Sequence, residues 1–222
     1  MRRIALGLAA AASALGMTLA AAAPASAAST QVALWNMGDT GSTMADASGH
    51  GHTGTLHNVS TGQPGTSSGK AFGFFSHPSY VSVPSSSELN PGTSSFSFTL
   101  HVKFSAKPSG DYDVLRKGLS TTDGGSYKVE ILAGGNAFCD FRGSSAQGSA
   151  SSSGSLADNA WHTITCARTS SSVKVTVDGK TSSKSVSTGS ISNSGSLYIG
   201  AKSSSGDDQY RGLVDRVSVN RG

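Results

Sequence analysis

Phe96-Ser97-Phe98-Thr99-Leu100-His101-Val102-Lys103-Phe104 is apolar at every second position across nine residues. A chain with that period must be extended, with Phe96, Phe98, Leu100, Val102 and Phe104 on one face and Ser97, Thr99, His101 and Lys103 on the other. The same alternation recurs outward from this stretch. Val173-Lys174-Val175-Thr176-Val177 repeats it and runs into Asp178-Gly179, a tight hairpin turn. Tyr127-Lys128-Val129-Glu130-Ile131 repeats it ahead of Gly134-Gly135-Asn136, with Glu130 on the outward side and no acidic neighbour at alternate spacing. Shorter strand signals lie at 80–83, 138–142, 162–168, 197–199 and 213–219, and 31–35 opens the first strand. The serine-rich stretches 144–155 and 182–196 read as loops with short polar edge strands. Many short strands without intervening helices predict an all-β chain folded as two antiparallel sheets.

The N-terminus reads differently. Met1-Arg2-Arg3 is followed by an almost unbroken apolar run from Ile4 to Ala23, then Pro24 and the small residues Ala25-Ser26-Ala27-Ala28. Residues 1–28 are therefore expected to be a secretory signal peptide, leaving residues 29–222 as one extracellular β domain with no membrane span. The formal charge of +4 includes Arg2 and Arg3, so the mature chain stands at +2. Its cations form no run, which points away from nucleic acid and anionic membranes. The two cysteines, Cys139 and Cys166, are expected to pair, as they would in an oxidising compartment.

Six motifs in order resemble the laminin-G-like branch of the concanavalin A-like lectin and glucanase superfamily. They begin with Asp46-Ala47-Ser48-Gly49 running into Gly54-Thr55-Leu56, then Tyr80 to Pro84 and Phe96 to Leu100. Val114 to Gly118 follows, then Trp161-His162 with Val175 to Gly179. Leu197-Tyr198-Ile199-Gly200 and Tyr210 to Val217 complete the set. The resemblance covers essentially the whole mature chain and implies a jelly-roll β-sandwich of two curved sheets.

The resemblance also implies a structural calcium ion, and the matching acidic positions are Asp46 and Asp215, with Asp207 and Asp208 as the alternative pair. Calcium suits such residues because it takes carboxylate, carbonyl and water oxygens. Alternation puts Asp215 on the face of Leu213, Val217 and Val219, where a carboxylate needs a partner. His50, His52 and His57 could suggest zinc, but no cysteine or glutamate near them in sequence completes a ligand set.

Catalysis by a glycosidase needs two converging carboxylates. The chain has only two glutamates, Glu88 and Glu130, and Asp111 and Asp113 read as a solvated turn beside Pro108 and Gly110. No strand gathers the Arg, Gln, His and Tyr set of a lyase. The expectation is a non-catalytic lectin-like module that binds glycan or an extracellular protein surface. Trp35 and Trp161 read as core, which leaves Tyr112 and Tyr210, with Asp208 and Gln209 beside them, as candidate ligand-binding residues.

Overall fold

The computed structural model describes residues 29–66 and 69–222, so the expected signal peptide lies outside the described residues. Every regular element among the described residues is a strand. In chain order they are β1 (Thr30–Trp35), β2 (Thr43–Met44), β3 (Gly54–His57), β4 (Ser60–Gln63), β5 (Ala71–Gly73), β6 (Tyr80–Val83), β7 (Phe96–Lys103) and β8 (Asp111–Lys117). They continue as β9 (Ser126–Leu132), β10 (Ala137–Arg142), β11 (Gln147–Ser151), β12 (His162–Arg168), β13 (Ser172–Val177), β14 (Lys180–Ser185), β15 (Leu197–Ile199) and β16 (Leu213–Arg221).

The strands form two antiparallel sheets. The first runs β14-β13-β12-β7-β16-β5-β4, and β1 shares the far edge of β16 with β5. The second runs β11-β10-β9-β8-β15-β6-β3-β2. The chain is a concanavalin A-like jelly roll: the two antiparallel sheets are those its period-two patterning predicts, and the jelly roll is what the family resemblance implies. Strand β7 alternates buried and half-buried residues without a break, and its apolar side faces Tyr127, Phe141 and Cys139 of the second sheet. Cys139 on β10 and Cys166 on β12 are joined by a disulfide that ties the two layers together. The polar stretches expected at the edges become β11 and β14, the outermost strands of the two sheets. The lysines of β14 discourage pairing with other chains at that edge.

Two bulges change what simple alternation predicts. In β16 the register against β7 shifts between Asp215 and Val217, with Arg216 at φ +37. An extra residue reverses which side the following side chains take. Val214, Val217 and Val219 therefore face the core, whereas Asp215 stands opposite His101 on the outward side of β7. The expectation that Asp215 shares the face of Val217 and Val219 is corrected accordingly. A second shift, between Asp113 and Leu115, lies in β8. Asp111 and Asp113 are thus residues of a central strand rather than a solvated turn, and Asp113 has no exposed surface. Trp35 is fully buried, but Trp161 is only half-buried.

Candidate functional site

The second sheet has one apolar face in the core and one outward face, and the outward face is where its polar side chains collect. The registers run straight across it. Thr55 pairs with Ser82, Ser82 with Tyr198, Tyr198 with Arg116, Arg116 with Lys128, Lys128 with Asp140, and Asp140 with Ser149. One row of side chains therefore spans seven strands. Beside it stand His57 and Tyr80 on one flank, Asp113 and Glu130 in the middle, and Phe138 and Arg142 on the other flank.

The aromatic flank is a packed strip. His57 stacks on Tyr80 at 4.3 Å between ring centroids, and Tyr80 tilts against Tyr198 at 5.7 Å. Tyr198 and His57 are half-exposed. His57 is also fixed by a 3.2 Å contact between its Nε2 and the Ser82 hydroxyl. On the opposite flank the Lys128 ammonium lies 5.8 Å from the centre of the Phe138 ring.

Between the flanks is a hollow of about 170 Å³. Its acids are Asp111, Glu130, Asp140 and Asp208, and its bases are Arg116, Lys128, Arg142 and Lys202. The groups are largely paired. Arg116 donates from Nε to Asp113 Oδ1 at 2.9 Å and from a terminal nitrogen to Glu130 at 3.1 Å. Lys128 also pairs with Glu130, Gln147 donates to Asp140 at 2.9 Å, and Lys202 donates to Asp208 at 2.8 Å. Burial pushes the Asp113 carboxyl up to about 7, and the nearby Glu130 charge adds to this against the opposing pull of Arg116. Burial likewise raises Asp111, helped by Glu130 and Asp208, and raises Asp140 against its bond from Gln147. The hydrogen bond from Lys202 to Asp208 raises the lysine.

At one end of the hollow Asp111, Asp113 and Asp208 converge, with one oxygen from each within 4.8 Å of the others. Asp208 comes from the loop before β16, and its carbonyl accepts the Asp113 amide at 2.7 Å. This is the acidic cluster that sequence reasoning missed. Glu130, read as an isolated outward residue, is in fact buried and stands directly across from Asp113. The cross-strand register that joins them is invisible in either strand alone.

The other expected site residues fall elsewhere. Asp46 and Asp215 do not come together in an acidic cluster. The Asp46 carboxylate accepts the amides of Leu34, Ser48 and His52 and the Ser48 hydroxyl, at 2.9–3.0 Å. Burial raises its pKa, but those bonds outweigh it and hold the group below the usual carboxylate range. It is a loop clamp. Asp215 accepts the amide and hydroxyl of Thr66 at 2.7 and 2.5 Å on the outer side of the first sheet. Asp207 is exposed and held by the Ser205 hydroxyl at 2.5 Å.

Tyr210 is fully buried and Tyr112 nearly so, because both pack edge-on with Phe104 and with each other. Tyr210 presents no surface to solvent, and Tyr112 presents only a small part of its ring, in the wall of an open hollow. The Gln209 side chain is committed to the Ser79 amide at 3.0 Å and the Ser76 carbonyl at 2.5 Å. Of the four expected ligand-binding residues, only Asp208 borders the charged hollow, whereas Tyr112, Asp208 and Gln209 all line a second, more open one of about 400 Å³. His50 and His52 do meet an acid, Glu88, at 2.8 and 3.1 Å, while His57 lies apart in the aromatic strip.

Similar architectures occur in binding domains. Domain 4 of AbnA, a GH43 extracellular arabinanase from Geobacillus stearothermophilus, solved in complex with arabinotriose, is 16% identical with a TM-score of 0.66, over 87% of this chain and 93% of that one. The binding domain of botulinum neurotoxin serotype G is 15% identical with a TM-score of 0.67, over 85% of this chain and 47% of that one. The binding domain of Paraclostridial Mosquitocidal Protein 1 is 14% identical with a TM-score of 0.62, over 86% and 48%. The chain thus spans about half the length of the two toxin binding domains. At these identities the likeness is one of fold. No curated protein matches the chain. The family model Laminin_G_3, described as concanavalin A-like lectin/glucanases superfamily, matches residues 75–221, from the turn before β6 to the end of β16, and the chain belongs to that family.

Proposed function

We propose that this protein is a secreted, non-catalytic lectin-like module that binds carbohydrate on the outward face of its second sheet. The observation that carries this reading is the continuous row from Thr55 through Tyr198 and Arg116 to Ser149, with rings on both flanks and hydrogen-bonding groups between. Aromatic faces cover the apolar side of a sugar ring while polar groups take its hydroxyls. Four acids balance four bases in the hollow, so the face favours a neutral oligosaccharide over a sulfated or sialylated one. The calcium ion implied by the resemblance finds fitting chemistry at Asp111, Asp113 and Asp208, where the donors are all hard oxygens; Asp111 Oδ1 and Asp113 Oδ2 are buried without a hydrogen-bond partner among the described residues. Calcium is not proposed at Asp46 and Asp215, because protein donors already occupy both oxygens of Asp46 and Oδ2 of Asp215, and the two carboxylates do not meet.

A hydrolase is the weaker reading, although Asp113 and Glu130 share Arg116 in the hollow. A general acid has to reach the glycosidic oxygen. Asp113 has no exposed surface, and Glu130 is held by two cations. A protein-binding role has its own observation in Phe75, which is 51% exposed beside Lys103 and Leu213 of the first sheet.

The test is a glycan array probed with the wild type and with Tyr198→Ala, alongside a reducing-end assay on the retained glycans. The expected result is retention of neutral oligosaccharides by the wild type, loss of that signal in the variant, and no new reducing ends. An array without hits rejects carbohydrate binding, and new reducing ends would assign catalysis instead.

A further inference from the structure

We propose that the first sheet carries a second binding site, separate from the row on the second sheet, and that it takes an acidic sugar. The sugar ring packs on Phe75, and its anionic group lies between Lys103 and Arg211.

The first observation is the platform. Phe75 follows β5 and is 51% exposed; among the described residues Leu119 is the only other large apolar side chain open to solvent. The ring rests on the strand it follows. A Cβ at Gly73 would come within 2.3 Å of Phe75 Cε2, so the ring keeps this place only because residue 73 is glycine. Part of the ring is therefore backed by the sheet and the rest faces water. A fixed ring with an open side suits the apolar side of a sugar.

The second observation is charge. Phe75, Lys103, Asn159, Arg211 and Leu213 line one hollow of about 390 Å³, and no acid lines it. The lysines and arginines that form ion pairs among the described residues are Arg116, Lys128 and Lys202, so Lys103 and Arg211 are both free. Asp215, two residues along β16 from Leu213, lies outside the hollow and gives its Oδ2 to Thr66. Asp207 and Asp208 border the neighbouring open hollow that Arg211 also touches, and Lys202 holds Asp208. The charged hollow on the second sheet balances four acids against four bases, whereas this one is cationic throughout. Two uncompensated cations beside an open ring select a ligand that carries an anion on an apolar body.

The walls are fixed in advance. The Phe74 amide donates to the Gly212 carbonyl at 2.9 Å, which holds the Phe75 segment against the Arg211 segment. The Asn159 amide donates to the Phe104 carbonyl at 3.0 Å, which sets Asn159 beside the end of β7. Beneath them the buried Tyr210 hydroxyl lies 3.1 Å from the carbonyls of both Lys103 and Leu213 and ties β7 to the start of β16. A site whose backbone is already ordered loses little freedom on binding. Its size and chemistry favour a sugar over a protein. A stable protein interface covers about 800 Å² per partner around several apolar anchors, and this hollow offers one ring. The exposed Asn159 amide is placed to take sugar hydroxyls.

The experiment is calorimetric titration in buffer containing a chelator, with trigalacturonate and a sulfated galactose trisaccharide as acidic probes. The methyl ester of trigalacturonate is the neutral control. The wild type is expected to bind at least one acidic probe saturably, several-fold more weakly as sodium chloride rises from about 20 to about 300 mM. The ester should bind at least tenfold more weakly, and the acidic probe that binds identifies the anion as carboxylate or sulfate. Phe75→Ala should lose at least tenfold in affinity, as should Lys103→Gln combined with Arg211→Gln, with melting temperatures close to the wild type. Phe75→Tyr should retain binding. Gly73→Ala leaves the contacting side chains in place but displaces the ring, and should weaken binding several-fold. Tyr198→Ala should bind the acidic probe as the wild type does, and Phe75→Ala should keep the neutral-oligosaccharide signal on the array, so this site and the lectin face fail separately. Absence of binding by both acidic probes would overturn the site, as would equal binding of the ester or undiminished binding by Phe75→Ala. Loss of the acidic probe in Tyr198→Ala alone would move it to the second sheet, and equal binding of a glutamate-rich peptide would replace the sugar with a protein partner.

Discussion

Tyr198 of β15 stands directly across from Arg116 of β8, so the last ring of the aromatic strip and the central guanidinium of the charged hollow are neighbours in one row. Arg116 is 5% exposed and is the cation shared by the buried Asp113 and Glu130. Removing one member of a buried charge group leaves the others uncompensated.

Arg116→Met is therefore expected to destabilise the fold by about 3–5 kcal/mol, read by urea unfolding at neutral pH. Adding Asp113→Asn and Glu130→Gln should return more than half of that loss. If the single variant unfolds with the wild-type midpoint, the three groups do not act as a buried unit.

Lys117 gives a pH dependence of its own. Its ammonium is fully buried and donates to the Ser85 hydroxyl and to both oxygens of Asn193, at 2.8–3.2 Å. Among the described residues no carboxylate pairs with it, and burial lowers its pKa from 10.5 to about 8. Between these values the unfolded chain holds a proton that the folded chain has released, so stability must rise with pH across this window. Below pH 8 the burial cost is present in full. Wild type minus Lys117→Met should gain on the order of 2–3 kcal/mol between pH 8 and 10.5, measured by denaturant unfolding. A flat or falling difference would show that the ammonium is not desolvated.

The disulfide between Cys139 and Cys166 closes a separation of 27 residues and links the sheets through the middle of the core. Replacing both cysteines with alanine should cost roughly 3–4 kcal/mol in the same unfolding assay. The variant should still fold, because Phe98, Tyr127 and Phe141 pack around the link on both layers. Free-thiol labelling of the unreduced wild type should be near zero.

Much of the architecture is legible in the sequence because period-two hydrophobicity is a local signal. Phe96 to Lys103 shows it over its whole length, and the core faces of β9 and β13 follow by the same reading. The bulge in β16 is not legible, since an inserted residue leaves composition unchanged while reversing the faces, and alternation therefore puts Asp215 on the wrong side; Asp111 and Asp113 read as a turn because Pro108 and Gly110 precede them, although they lie in β8. Tyr112 and Tyr210 look like rim residues because glycines and aspartates flank them, yet their edge-on packing against Phe104 makes them core. The outward positions of Tyr198, Lys128 and Glu130 could be read from alternation within their own strands. That they share one face with His57 and Asp208 could not, because register between distant strands is set by the pairing of the whole sheet.

The most direct test of the carbohydrate face is amide chemical-shift mapping of the protein titrated with a neutral oligosaccharide retained on the array. The account predicts saturable shifts clustered at Thr55, Ser82, Tyr198, Arg116, Lys128 and Asp140, with the outer residues of β13 and β14 unmoved. Shifts confined to the first sheet or to the rim around Asp46, with this row silent, would contradict it.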